Sequence, residues 1–180
     1  MTGIGGHEGV SSRTTPGASL RRARTGDVRA IRRLIDSYTA DGRLLSKATV
    51  TLYEDVQEFV VAEHDGEIVG CGALHVMWED LAEIRTVAVR PDLHGRGVGS
   101  ALLVSLLDRA RDLGIRRVFC LTFETAFFAR HGFEPIDEAP IDHAVYEQLL
   151  QSDDEGVAEF LDLERVKPNT LGNQRMLLAL

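Results

Sequence analysis

Thr86-Val-Ala-Val-Arg-Pro-Asp-Leu-His-Gly-Arg-Gly-Val-Gly-Ser-Ala-Leu-Leu103 is the stretch whose reading decides the fold. Val87 and Val89, with Ile84 before them, make a buried strand, and Pro91 ends it because proline cannot donate to a sheet ladder. Gly95, Gly97 and Gly99 lack Cβ atoms at alternate positions, so the backbone can turn tightly and expose its N–H groups. Leu102, Leu103, Leu106, Leu107, Ala110 and Leu113 then recur at helical spacing, and Gly114 is a stop signal. A nest of N–H groups at the positive end of a helix dipole suits a phosphate, and Arg96 adds a cation. Two common phosphate motifs fail on spacing. A dinucleotide fingerprint would place its third glycine at Ser100, and the Gly-Lys-Ser/Thr of a P-loop is absent.

Composition sets limits on the ligand. A chain of 180 residues, 44% apolar, is long enough for one ordinary core. Its 28 acidic and 20 basic residues leave a formal charge of −8, which argues against nucleic acid or an anionic membrane as partner. No apolar run reaches the ~20 residues of a transmembrane helix, and the Gly-rich start lacks the apolar core of a signal peptide, so a cytoplasmic protein is expected. Cys71 and Cys120 each sit inside an apolar run and read as small buried hydrophobes. No Cys/His spacing suggests a metal.

Read outward from the glycine stretch, residues 1–19 are rich in Gly, Ser and Thr without periodicity and are expected to form a disordered tail, with one domain over 20–180. Leu20 to Arg24 reads as an edge strand. A helix follows with Val28, Ile31, Leu34, Ile35 and Tyr38 on one face. Phe59 to Ala62 and Ile68 to Met77 form a hairpin around Asp65-Gly66. In the strand that starts near Glu83, simple alternation puts Glu83 and Arg85 on one face with Val87 and Val89, and Ile84 and Thr86 on the other. Arg116 to Thr122 is a further strand, parallel to that one because a helix connects them. Phe123 to Arg130 reads as a short helix ending in Gly132-Phe133, and Pro140 to Leu150 as another. Phe160 to Val166 and Arg175 to Leu180 read as closing strands. The expected class is α/β, a mixed central sheet flanked by helices.

Strand, proline, then His94-Gly95-Arg96-Gly97-Val98-Gly99 resembles the acyl-CoA pyrophosphate loop of the GNAT N-acetyltransferases, with His94 where that pattern has Gln or Arg. The helix ending in Gly132-Phe133 is the second GNAT landmark. Glu83-Ile-Arg-Thr-Val-Ala-Val89, Gly114-Ile-Arg-Arg-Val-Phe-Cys-Leu-Thr122 and Glu124-Thr-Ala-Phe-Phe-Ala-Arg-His-Gly-Phe133 are similar to the acetyltransferase domain of bacterial N-acetylglutamate synthases. The long synthases carry an N-terminal amino-acid-kinase domain for which this chain has no room. It therefore resembles the short, single-domain amino-acid N-acetyltransferases of arginine biosynthesis.

The resemblance implies a GNAT fold in which two splayed parallel strands form an acetyl-CoA cleft, usually with a bulge that disturbs the alternation above. It implies acetyl transfer from acetyl-CoA, without a metal, to the α-amine of glutamate or glutamine by direct attack, and by analogy a homodimer. Val87, Ala88, Val89, His94, Gly95, Arg96, Gly97, Val98, Gly99, Ser100 and Phe128 would bind acetyl-CoA, with backbone N–H groups at Val87–Val89 polarising the acetyl carbonyl. Phe128 stands where the family frequently has a general-acid tyrosine. Glu83 matches a glutamate given the role of base in the synthases. An anionic amino acid entering an acidic protein needs cations, and Arg85, Lys167 and Arg175, with Asn173, are the candidate substrate ligands. Lys47, Thr51 and Tyr53 lie where the family varies with its acceptor. The competing readings are acetylation of a protein N-terminus, a lysine or another small amine, and a non-catalytic acyl-CoA sensor.

Overall fold

A computed structural model describes residues 14–15, 18–39, 48–163 and 173–180. Its centre is a mixed eight-stranded sheet in the order β1-β2-β3-β4-β5-β6-β8-β7. The strands are β1 Thr14–Thr15, β2 Ala18–Arg22, β3 Phe59–His64, β4 Glu67–Trp78, β5 Leu81–Val89, β6 Arg117–Thr122, β7 Glu134–Pro135 and β8 Gln174–Ala179. The helices are α1 Val28–Thr39, α2 Thr49–Glu54, α3 Val98–Asp112, α4 Thr125–Ala129, α5 His143–Leu149 and α6 Glu155–Phe160. Every neighbouring pair is antiparallel except β5 and β6, which the α3 crossover makes parallel.

The hairpin turns at Asp65 and Gly66, both at positive φ (51° and 79°), the backbone that a two-residue turn between twisted strands requires. α3 begins at Gly97, whose φ of 84° is left-handed, and gives way to Gly114 at φ 82°. Its buried face, Leu102, Leu103, Leu106, Leu107 and Ala110, packs on the sheet with Ile84, Val89, Val98, Val118 and Phe128. The opposite face carries two separate apolar clusters. α1 and α2 cover Cys71, Ala73 and Ala88, whereas α5 and α6 cover Met77, Leu81 and Phe119.

Several expectations are corrected. Pairing runs Ala73↔Arg85 and then Cys71↔Ala88, so Thr86 and Val87 together oppose Gly72 in a β-bulge, with Thr86 at φ 60°. The bulge reverses the alternation. Val87 and Val89 face α3, while Glu83 and Arg85 remain on the other face with Ala88. β2 starts at Ala18 and lies between β1 and β3, not at an edge, and the sheet therefore begins before residue 20; residues 1–13 lie outside the described residues. Residues expected to begin a strand at Phe160 end α6 instead. Asp154 accepts a hydrogen bond from Val157 N (3.1 Å) and so starts a helix where hydrophobicity alone suggested a strand further on. Lys47 and Lys167 fall outside the described residues.

Candidate active site

Ladder pairing between β5 and β6 covers Leu81↔Arg117, Ala82↔Val118 and Glu83↔Phe119 among the described residues, and then the strands part. The bulge drives β5 away, while β6 stays paired with β8 as far as Thr122↔Gln174. The gap is a cleft of about 510 Å³. Ile84, Arg85, Thr86, Val87 and Val89 line one wall and Leu121 to Glu124 the other, with the glycine loop at one end.

Of the predicted donor-side residues, Val87, Val89, His94, Gly95, Gly97, Gly99, Ser100 and Phe128 line this cleft. Ala88 and Val98 do not: both are buried in the core on either side of the sheet, and the Arg96 side chain is exposed beyond the cleft wall. Arg90 N donates to Val69 O (2.7 Å), so by strand alternation Val89 turns its N–H and C=O toward the cleft. That carbonyl accepts hydrogen bonds from the Tyr38 hydroxyl and from His94 Nε2 (2.9 Å), and His94 Nε2 also lies 2.6 Å from Tyr38 Oη. Tyr38 reads in the sequence only as an apolar helix position. Its polar tip gives it the second role, which ties α1 to the loop. Phe128 packs edge-on against Phe127 and Phe133. Ser100 Oγ is 3.1 Å from His131 Nε2, a ring held below its usual pKa by burial and by Arg130.

A polar cluster fills the seam between the two apolar clusters on the opposite face. Along β4 the residues on that face run Cys71, Ala73, His75, Met77; along β5 they run Ala88, Arg85, Glu83, Leu81. His75 is paired with Glu83 across the ladder. Glu83 is 4% exposed, and its Oε2 has no hydrogen-bond partner among the described residues. Burial pushes its carboxyl up to about 7, opposed by Arg85 and reinforced by Glu159 and Asp154. Arg85 is held by four carboxylates: Asp154 at 3.0 Å, Glu58 at 3.2 Å, Glu83 at 3.6 Å and Asp55 at 3.9 Å. His75 bridges Glu58 (2.7 Å) and Asp154 (3.6 Å), and its hydrogen bond to Glu58, against burial, raises its pKa. For Glu58 and Asp154, burial pushes upward but is outweighed by their hydrogen bonds and charge contacts with His75 and Arg85, and both stay below the usual carboxylate range.

The other predicted acceptor-side residues are placed apart. Arg175 donates to Phe160 O (3.3 Å) and to Asp137 O, pairs with Asp162 at 3.5 Å, and lines a second cavity with Asp137, Tyr146 and Leu161. Asn173 stands half-buried just before β8. The structure thus brings Glu83 and Arg85 together but not Arg175. Glu58, His75 and Asp154 are additions that sequence reading missed. His75 alone lies on a strand, a polar residue on an otherwise apolar face once the hairpin register is known, whereas Glu58 ends the turn before β3 and Asp154 caps α6, positions where a carboxylate is ordinary. Cys71 and Cys120 are buried, and burial raises both thiols, Cys71 to about 12.

A cleft between splayed parallel strands, a glycine loop opening a helix and a buried carboxylate beside the gap define an acyltransferase site, and the acetyltransferase (GNAT) family model matches residues 29–133. The chain belongs to that family. Within it, the chain is 60% identical over 164 residues to a Mycobacterium tuberculosis protein named amino-acid acetyltransferase, covering 89% of this chain and 94% of that one. An amino-acid acetyltransferase of Neisseria meningitidis is 38% identical over 122 residues, but the match spans 28% of that longer protein. Among solved structures, Rv2747 from M. tuberculosis in complex with CoA and NLQ superposes with a TM-score of 0.85 at 60% identity, covering 89% of this chain and 98% of that one. N-acetylglutamate synthase from Neisseria gonorrhoeae, complexed with coenzyme A and N-acetyl-glutamate, gives 0.72 at 28% identity, covering 91% of this chain and 35% of that one.

Proposed function

We propose that this protein is an amino-acid N-acetyltransferase that moves the acetyl group of acetyl-CoA to the α-amine of L-glutamate or L-glutamine, as the first step of arginine biosynthesis, in the cytoplasm and as a homodimer. The observation that carries the reading is Glu83, a buried carboxyl with a pKa pushed up to about 7 beside the cleft where the donor's acetyl group would lie. The similarity to amino-acid acetyltransferases, one of them nearly full-length, supports the substrate class. The N-acetyl-glutamate bound to the gonococcal synthase supports the choice of amino acid.

Acetyl-CoA enters along the cleft with its pyrophosphate at Gly95–Gly99, where the α3 N-terminus offers N–H groups. Val89 and its neighbours beyond the bulge present backbone groups that β6 does not pair, and these hold the pantetheine arm and polarise the acetyl carbonyl. Glu83 takes a proton from the substrate ammonium. An α-ammonium of pKa near 8, as at a peptide N-terminus, needs about 1 to 1.5 kcal/mol to become neutral at pH 7, against roughly 4 to 5 for a lysine, and a free amino acid lies between them, so a base near pKa 7 assists a deprotonation that costs less than a lysine's. The neutral amine attacks the carbonyl carbon and the C–N bond forms. Collapse of the oxyanion breaks the C–S bond and releases the thiolate, while the nitrogen gives up its second proton to solvent or to the departing sulfur. Phe128 offers no proton at the position of the family tyrosine, so the thiolate leaves without a phenol donor there. Arg85, beside the base, is the cation offered to the substrate carboxylate, whereas Arg175 is tied to Phe160, Asp137 and Asp162 away from it.

A thiol-release assay across the amino acids at fixed acetyl-CoA tests the proposal. Turnover with glutamate or glutamine and none with peptides or polyamines is expected. Turnover confined to peptides would reassign the acceptor, and none with any amine, alongside retained acetyl-CoA binding, would leave a sensor.

A further inference from the structure

The beginning of α6 reaches the proposed base from seventy residues further along the chain. A Cβ built on Gly156 would lie 2.0 Å from Glu83 Oε2 and 2.8 Å from its Cδ. The helix backbone cannot give way there, so a side chain at this position would have to displace the Glu83 carboxyl. Two residues earlier, Asp154 fixes the same turn to the cluster. One of its oxygens accepts from Val157 N (3.1 Å) and the other accepts from Arg85 Nη1 (3.0 Å), while Ser152 Oγ accepts from Asp154 N (3.2 Å). α6 itself is anchored by Phe160, fully buried and edge-on to Phe119 of β6 at 5.1 Å. Phe119 is the ladder neighbour of Glu83.

We infer that Gly156 and Asp154 are positioning residues for the acetyl transfer: the missing Cβ of Gly156 and the Asp154–Arg85 contact together form the seat that fixes where the Glu83 carboxyl meets the substrate amine. Glycine inside a helix ordinarily weakens it relative to alanine. Here the cavity left by the glycine is filled by the base. Adding a methyl group moves the carboxyl by an ångström or more, and displacement on that scale in a catalytic geometry costs on the order of 10²-fold in rate. The inference rests on Glu83 as the base, and its test separates the two.

Four proteins decide it: the parent chain, Gly156→Ala, Glu83→Ala and the double variant, each followed by thiol release, acetyl-CoA affinity and thermal melting. Gly156→Ala is expected to lower kcat by about 10²-fold, to leave acetyl-CoA affinity intact, and to lower the Tm. In the Glu83→Ala background the same substitution should leave the Tm unchanged or raise it, because the obstructing carboxyl is gone. Retained kcat in Gly156→Ala, or an equal fall in Tm in both backgrounds, would overturn the proposal. If Gly156→Ala does not fold, folding of the double variant supports the seat and its failure to fold refutes it. Glu83→Gln is read alongside: full turnover there removes the base on which the inference stands, whereas the Tm coupling reports on the seat alone.

Discussion

Glu83 is a carboxyl whose usefulness and cost have the same origin. Unfolded, it titrates near 4.5; folded, burial pushes it up to about 7. Between those values the folded chain holds a proton that the unfolded chain has released, so stability falls as pH rises through that window, and above it the buried carboxylate carries a penalty of order 3 kcal/mol. Glu83→Gln should therefore melt at a higher temperature than the parent at pH 8, with little difference near pH 4, while kcat falls ~10²- to 10⁴-fold. Thermal scans at the two pH values and initial rates check both halves. The raised pKa also predicts a kcat profile that rises through about pH 7. His75, paired with Glu83 across the ladder and itself raised by its hydrogen bond to Glu58, lowers the pKa of Glu83. Its replacement by Gln should move that limb to higher pH, and a limb moving the other way would remove His75 from the electrostatics of the site.

Elements show why the site needs departures from regular structure. Thr86, a residue without a glycine's freedom, is held at φ 60°, a strain of order 1 kcal/mol that the surrounding ladder imposes. In return the bulge turns Val87 and Val89 toward α3, leaves Glu83 and Arg85 on the acceptor face, and opens β5 from β6. Gly72, opposite the bulge, has no room for a Cβ, which would stand 2.9 Å from Leu106 Cδ1. Gly97 caps α3 in the left-handed region with φ 84°. Gly97→Ala should raise the KM for acetyl-CoA and lower stability by about 1 to 2 kcal/mol, with kcat at saturating donor little changed. Denaturant unfolding and donor titrations measure the two effects.

At the scale of the whole molecule, the proposed reaction divides its donor and acceptor chemistry between the two faces of one sheet. α3 and the glycine loop lie on one face, and the seam between the α1/α2 and α5/α6 clusters holds the acidic cluster on the other. In that reading the α5/α6 cluster is both core and active-site wall. Phe119→Ala should cost about 3 to 5 kcal/mol, as for other buried aromatics. Because Phe119 supports α6 through Phe160, the variant should lose kcat at temperatures below its own melt. A variant that keeps full kcat until it unfolds would show the wall and the site to be independent.

The local features were legible in the sequence because their causes are local. Branched residues, a proline and three glycines dictate strand, turn and helix; periodic leucines give α3; Asp65-Gly66 gives the hairpin. The pairing of Glu83 with Arg85 on one strand face follows from a period of two, and it survives because the bulge comes after them. Past Thr86 that period fails, since an extra residue in one strand is defined only by the partner it does not match. For the same reason His75, Glu58 and Asp154 carried no sequence signal: each is polar in an ordinary way until the fold packs them around one guanidinium. The sequence by itself determined the fold class and the strand, glycine turn and helix of the proposed donor loop, and it singled out Glu83 as the proposed base. Tertiary structure alone decided which carboxylates surround Arg85, that Arg175 is tied to Phe160, Asp137 and Asp162, and that a glycine in α6 makes room for Glu83. Burial and ion pairing depend on residues far apart in the chain, and no local pattern encodes the distance between them.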